Sequence, residues 1–351
     1  MPRYSSPLML ALVLSATGLV SAVVATAATA VDPTSPAVRT IALPGGGADG
    51  ITMDYIAFDP ATRRVWVPAG NTGAVDVVET ATGKVTALSG FPTKEVEVRG
   101  GKRVVGPSSV TVGQGQVYVG NRADFSVCAI DAKSLVRGAC GTLDSMPDGI
   151  AYVAPTGEIW VTTPRDKSVR VLDAATLKQK AKLDFDGQPE GFAVDAGRGR
   201  FYTNLEDKDR TLAIDVKTRK TVATWNPACG EDGPHGLKLD DKSGLLFVAC
   251  SARAEVLDAG HDGRVLSSID TGDGVDDIDY EPARRRVYVG AARAGQLTIA
   301  EVDPQGKLAV VARVPTRPGA RNGVVASDGT VYLAHSGLAK LNELVVVPPA
   351  K

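Results

Sequence analysis

One short frame recurs down the chain, and it limits the fold more than any other feature. It reads "MPDGIAYVAP" at 146–155, "QPEGFAVDAG" from Gln188, "GPHGLKLDDK" from Gly233, "GVDDIDYEPA" from Gly274 and "ARNGVVASDG" from Ala320. With two fainter copies upstream, the marked polar position falls at Asp54, Ser108, Asp148, Glu190, His235, Asp276 and Asn322. The separations are 54, 40, 42, 45, 41 and 46 residues. A unit of about 40 residues that cannot bury its own faces must stack against copies of itself.

The internal order of each unit says what the copies are. A short strand follows the mark, and a turn such as "DPATRR", "DAGRGR" or "EPARRR" follows the strand. A second strand then ends on an aromatic-valine pattern: "RVWVPAG", "QVYVGN", "EIWVTT", "LLFVAC", "RVYVGA". A third often closes on Asp before a turn ("SVRVLDAATLK", "TLAIDVKTRK"), and a fourth leads to the next unit. The 38 Gly and 21 Pro suit many turns, and the Val- and Thr-rich runs suit strands. The reading is an all-β, seven-bladed β-propeller with four antiparallel strands per blade. The last unit supplies only three strands, and "VRTIALP" at 38–44 is a strand without a blade. Pairing the two closes the ring and hides an edge.

Arg3, the apolar run Leu8–Val24 and the small residues Ala28-Thr29-Ala30 read as an export signal over 1–30. Residues 31–351 then form the single propeller domain, periplasmic or secreted and not inserted in a membrane, and expected as a monomer. Four cysteines fit that compartment. Cys128 and Cys140 lie in adjoining strand-like runs, and Cys229 and Cys250 offer a second pair; disulfides and buried thiols are the two readings. A formal net charge of −1 gives no field for nucleic acid.

In a propeller the loop entering each innermost strand opens at one end of the central channel. The marked residues then face a shared mouth. The carboxylates with one imidazole make Asp54, Asp148, Glu190, His235, Asp276 and Asn322 a candidate divalent-metal set for Ca, Mg, Zn or Mn. The plainer reading is turn capping and water binding. A second set follows each second strand: Asn71, Arg122, Arg165, Glu206, Arg253, Arg293 and His335. Arginine forks suit carboxylate or phosphate groups, so Arg122, Arg165, Arg253, Arg293 and His335 are the candidate ligand contacts; the plainer reading is inter-blade pairing with the acidic ring or solvated loop charge. The charged insertion 89–105 reads as a long hairpin or loop able to cover the mouth or contact a partner, with plain surface as the simpler reading.

"VYVGN" (117–121), "VYVGA" (287–291), "VWVPAGNTGAVDVVETATGKV" (65–85) and "VRVLDAATLK" (169–178) resemble the YVTN-type seven-bladed propellers of exported bacterial proteins. The resemblance spans nearly the whole mature chain and implies fold rather than function. "PDGIAY" (147–152), "PEGFAV" (189–194) and "RNGVVA" (321–326) are similar to inner-strand entries of the gluconolactonase and senescence-marker group. That likeness implies Asp148, Glu190 and Asn322 as metal positions. It departs in blade number and lacks that group's N-terminal Glu segment.

Three functions fit these residues. The first is a binding propeller holding a small anionic ligand, a metal ion or a partner segment at the channel mouth. The second is a metal-dependent hydrolase of the lactonase or esterase type, with His235 as candidate general base. The third, on fold analogy alone, is an accessory protein of a periplasmic redox system.

Overall fold

The computed structural model describes residues 37–98, 101–335 and 340–350, so the export-signal segment lies outside the described residues. Seven four-stranded antiparallel sheets follow one another as up-and-down meanders, which we call blades I to VII. Their innermost strands are Ala57–Asp59, Pro107–Gly113, Ile150–Val153, Pro189–Asp195, Pro234–Asp240, Val275–Glu281 and Ala320–Val325. Blade VII takes three strands from the C-terminal end and its outermost from Arg39–Ala42. There Arg39 lies opposite Val346 and Ala42 opposite Glu343. The ring is thus joined by strands from opposite ends of the chain, as the orphan "VRTIALP" implied. Among the described residues no helix is long and apolar enough to cross a membrane.

Local chemistry sets the outer turns. In blades II, III and IV the third strand ends on Asp131, Asp173 or Asp215. Each carboxylate accepts a backbone N–H three residues on, from Ser134 at 2.7 Å, Thr176 at 2.9 Å and Thr218 at 2.8 Å. The next residue, Leu135, Leu177 or Arg219, sits at φ near 63°, 55° or 59°. The Asp-anchored turn therefore reverses the chain without glycine. The aromatic of each second strand is core between blades: Trp66 and Trp160 are fully buried, and the Trp160 ring lies 4.8 Å from Phe201 of blade IV.

The entrance to the inner strand is irregular in blade after blade. In blade IV pairing jumps from Pro189 opposite Leu205 to Phe192 opposite Thr203. Blade V jumps from Pro234 to Leu237, blade VI from Val275 to Ile278, and blade VII from Ala320 to Gly323. Blade II has a one-residue version at Ser108. Each is a β-bulge, which re-aims the extra residues away from the sheet faces. Glycine at the second bulge position lets adjacent blades close: a Cβ on Gly191 would lie 2.0 Å from the carbonyl oxygen of His235.

Both cysteine pairs are disulfides: Cys128–Cys140 links the third and fourth strands of blade II, and Cys229–Cys250 ties the loop before blade V to its second strand. Replacing Cys128 and Cys140 together by Ser frees a loop of 12 residues and should cost about 2–4 kcal/mol. Chemical denaturation of the double variant beside the wild type, both without reductant, measures it; equal midpoints would mean the bridge contributes nothing.

Asp76, in the third strand of blade I, is fully buried and neither carboxylate oxygen has a hydrogen-bond partner among the described residues. Burial pushes its pKa up to about 7. The folded carboxyl therefore holds its proton more tightly than the unfolded one, and its charging opposes folding as pH rises through neutrality. Asp76→Asn should raise the melting temperature at pH 8 more than at pH 5.5; equal shifts would rule out a titrating Asp76.

Candidate ligand site at the channel mouth

The entries to the inner strands, bulged in blades II and IV to VII, gather the marked residues into a ring. Six of the seven stand where the repeat placed them: Asp54, Ser108, Asp148, Glu190, His235 and Asp276. The seventh is displaced by one residue. Pro189, Pro234, Val275 and Ala320 hold equivalent pairing positions, so the counterpart of Glu190, His235 and Asp276 in blade VII is Arg321. Asn322 occupies the second bulge position, is almost wholly buried, and donates from Nδ2 to Asp54 Oδ1 at 2.8 Å. The error arose because Gly323 looks like the glycine of the other frames, while the true equivalents of Gly191 and Gly236 are Asp277 and Asn322.

The ring is internally paired on one side. Arg122 Nη2 donates to Asp54 Oδ2 at 2.7 Å and also to Asp148 Oδ1. Burial works against the guanidinium charge, but Asp148 and Asp54 outweigh it and hold its pKa above the usual value. Arg321 Nη1 donates to Asp276 Oδ1 at 2.9 Å. On the other side Glu190, His235 and Asp276 each bring one ligand atom within 4.8 Å of the other two. His235 Nδ1 is 3.3 Å from Glu190 Oε2 and 3.9 Å from Glu206 Oε2, while Nε2 is 3.2 Å from Ser251 Oγ. Two carboxylates and an imidazole, with Glu206 alongside, form a donor set that suits a divalent cation.

Crowded acids without full compensation bind protons more tightly. Burial, then the Glu206 carboxyl sharing a hydrogen bond, then neighbouring charge raise Glu190 well above its ordinary pKa. Burial raises Asp276 against the pull of Arg321, and raises Asp148 to about 6 against Arg122. Beneath the ring Tyr55 is raised well above its usual value, by burial first and then by Asp148, Glu190, Asp54 and Asp276.

Two larger chambers open at the mouth, beside a small one of about 50 Å³ between Asp54, Ser108, Arg122 and Arg321. One of about 240 Å³ is lined by Arg103, Arg122, Asp148, Arg165, Glu190 and Glu206. The other, of about 290 Å³, is lined by His235, Ser251, Asp276, Arg293 and Arg321. Arg103 comes from the insertion, which is a hairpin of Lys94–Val98 against Gly101–Val105. Gly106 seats the hairpin's return: a Cβ there would lie 2.1 Å from the Gly70 carbonyl oxygen. Partial burial and then the positive field of Arg122 lower the pKa of Arg103. Sequence reading missed it as a mouth residue, since no repeat position marks it.

The second expected set disperses. Arg122 and Arg165 reach the first chamber and Arg293 the second, where it pairs with Asp273 at 3.1 Å. Arg253 instead donates to the Ala228 carbonyl at 2.7 Å, next to the Cys229 bridge, and lies 3.7 Å from Glu255. His335 is fully buried, and its carbonyl accepts the Met53 N–H, so it opens on neither chamber. Asn71 accepts the Thr52 N–H and donates to the Gly50 carbonyl, holding the loop that leads to Asp54.

No family model and no curated protein matches the sequence. Solved structures do match. A chain of the mitotic checkpoint complex shares 15% identity with a TM-score of 0.71, over 98% of this chain and 99% of that one. Virginiamycin B lyase from Staphylococcus aureus shares 12% with a TM-score of 0.68, over 89% and 99%. Hydrazine synthase of Kuenenia stuttgartiensis shares 15% with a TM-score of 0.70, over 88% and 96%. The class is therefore the seven-bladed β-propeller; identities this low establish the fold alone.

The raised acids set a pH dependence. Each has a folded pKa above its unfolded value of about 4, so the stabilising proton is present at acid pH and lost as pH rises through the folded value. Without added metal, the melting temperature should fall between pH 5 and pH 8, and Glu190→Gln should flatten that fall. An unchanged slope would show that the ring does not titrate in this range.

Proposed function

We propose that the protein is an exported binding propeller that holds a small anionic molecule at its channel mouth, beside a divalent cation at Glu190, His235 and Asp276. The observation that carries this reading is the pairing pattern. Arg122 is neutralised by Asp54 and Asp148, yet Arg103 and Arg165 make no ion pair among the described residues while lining the same chamber. Exposed arginines that line a cavity without a carboxylate partner suit a ligand carboxylate or phosphate. The metal position across the Glu190 wall would give that anion a second positive anchor. Both disulfides agree with an oxidising compartment outside the cytoplasm.

A metal-dependent hydrolase of the lactonase or esterase type is the alternative, and one contact favours it. The His235 imidazole stands between the Glu190 carboxyl and the Ser251 hydroxyl, a placement that suits a general base beside a metal-activated water. Two proteins of like fold are called lyases, virginiamycin B lyase and streptogramin B lyase, so this fold does carry enzymes.

Calorimetric titration with phosphate, succinate and citrate, with and without Mn(II) or Ca(II), tests the binding reading. A charge-assisted contact contributes about 1.5–3 kcal/mol, so Arg165→Ala and Arg103→Ala should each weaken anion binding about 10- to 100-fold. His235→Ala should lose the metal and leave metal-independent anion binding. Metal-dependent turnover of a lactone and ester panel that vanishes in His235→Ala would select the hydrolase. No anion bound and no metal retained would remove both.

A further inference from the structure

Another chamber of about 390 Å³ lies further along the inner strands, lined by Tyr55, Phe58, Val112, Phe192, Lys238 and Asp277 among others. Tyr55 and Phe192, with ring centroids 5.9 Å apart, stand at its upper side next to the mouth acids. Tyr55 is pinned by bridging to blade II: its N–H donates to the Ser108 carbonyl and its carbonyl accepts the Val110 N–H. Register shows what a chamber like this would ordinarily contain. The inner-strand residues opposite each second-strand aromatic are Ala57, Thr111, Ala151, Ala193, Lys238, Asp279 and Val324. Five are uncharged; blades V and VI alone place a Lys and an Asp side by side.

That pair does not balance the chamber, because a second carboxylate enters it. Asp279 is already committed: it accepts the Val325 N–H at 2.7 Å and lies 3.7 Å from Lys238 Nζ. Asp277 sits at the second bulge position, where blades III, IV and V have Gly149, Gly191 and Gly236. It is only 7% exposed, so nine-tenths of it is buried, and it lines the cavity. No side chain among the described residues donates a hydrogen bond to it; the adjoining Ile278 N–H and the field of Lys238 are its only compensation. The close seat is built on the neighbouring blade: a Cβ on Gly236 would lie 2.2 Å from Asp277 Oδ1. An ionisable group placed where three sister blades use glycine costs stability, and a cationic occupant would offset that cost.

We propose that this chamber is a second binding site, distinct from the mouth, for a small organic ammonium with an apolar or aromatic body. Asp277 takes the ammonium, and Tyr55, Phe58 and Phe192 cover the apolar part. The ionisable groups facing the chamber are Lys238, Asp277, Asp279, Tyr55 and Tyr280, and Tyr280 already donates to Asp240 Oδ2 at 3.1 Å. The volume falls at the lower end of the range for small-molecule sites.

The test compares phenethylammonium, 2-phenylethanol and phenylacetate by calorimetry on the intact protein with chelator present. The ammonium should bind at least 10-fold more tightly than the alcohol, and phenylacetate should not bind in the chamber. Asp277→Asn should remove that preference. Asp277→Gly installs the residue three sister blades carry and should fold while doing the same. Arg165→Ala, which weakens the mouth site, should leave ammonium binding unchanged, so failure of one site is readable apart from failure of the other. Equal affinity for the three probes in the wild type, or a preference that survives both Asp277 variants, overturns the proposal; the wild-type comparison stands without either variant.

Discussion

The structure depends on blade-to-blade contact at the innermost strand. A strand near the axis has too little room to keep its ladder regular where it enters, and the bulges relieve that crowding. In blades II and IV to VII they also turn one side chain out of the sheet and toward the common mouth. Glycine at the second bulge position in blades III, IV and V lets the neighbouring entry pass within contact distance, as Gly191 does beneath the carbonyl of His235. Packing geometry and the placement of the candidate site therefore have one cause.

That cause accounts for the mouth's electrostatics. Side chains from distant parts of the chain converge on a small polar space whose floor is aromatic. Acids held there cannot all ionise freely, so Asp148, Glu190 and Asp276 keep their protons to higher pH than exposed carboxyls. Arg122 and Arg321 offset part of the charge, and Arg103 and Arg165 leave positive groups facing the open chamber. The same ring is thus partly self-neutralised, with other charged groups left unpaired around its chambers.

The repeat made the blade count, the strand order and the origin of the closing strand legible, because each is a local pattern repeated at nearly constant spacing. It located six ring members for the same reason. The blade VII member is Arg321, one residue before the Asn322 that the frame implies, since Gly323 imitates the glycine of the sister frames and only strand pairing reveals the bulge. Arg103 carried no repeat signal at all; an insertion has no sister position to compare. Arg253 and His335 were grouped with Arg122 by spacing alone, and spacing does not say which way a loop side chain turns.

Period, turn chemistry and apolar alternation are properties of the chain itself, so the sequence alone determined a seven-bladed ring with polar entries to its inner strands. Which of those polar groups meet was decided by tertiary structure, because a one-residue bulge or a folded-over hairpin changes the partner without changing the pattern. The trio of Glu190, His235 and Asp276 spans three blades, and the seat of Asp277 depends on the glycine of a different blade. Such coincidences exist only once the ring has closed.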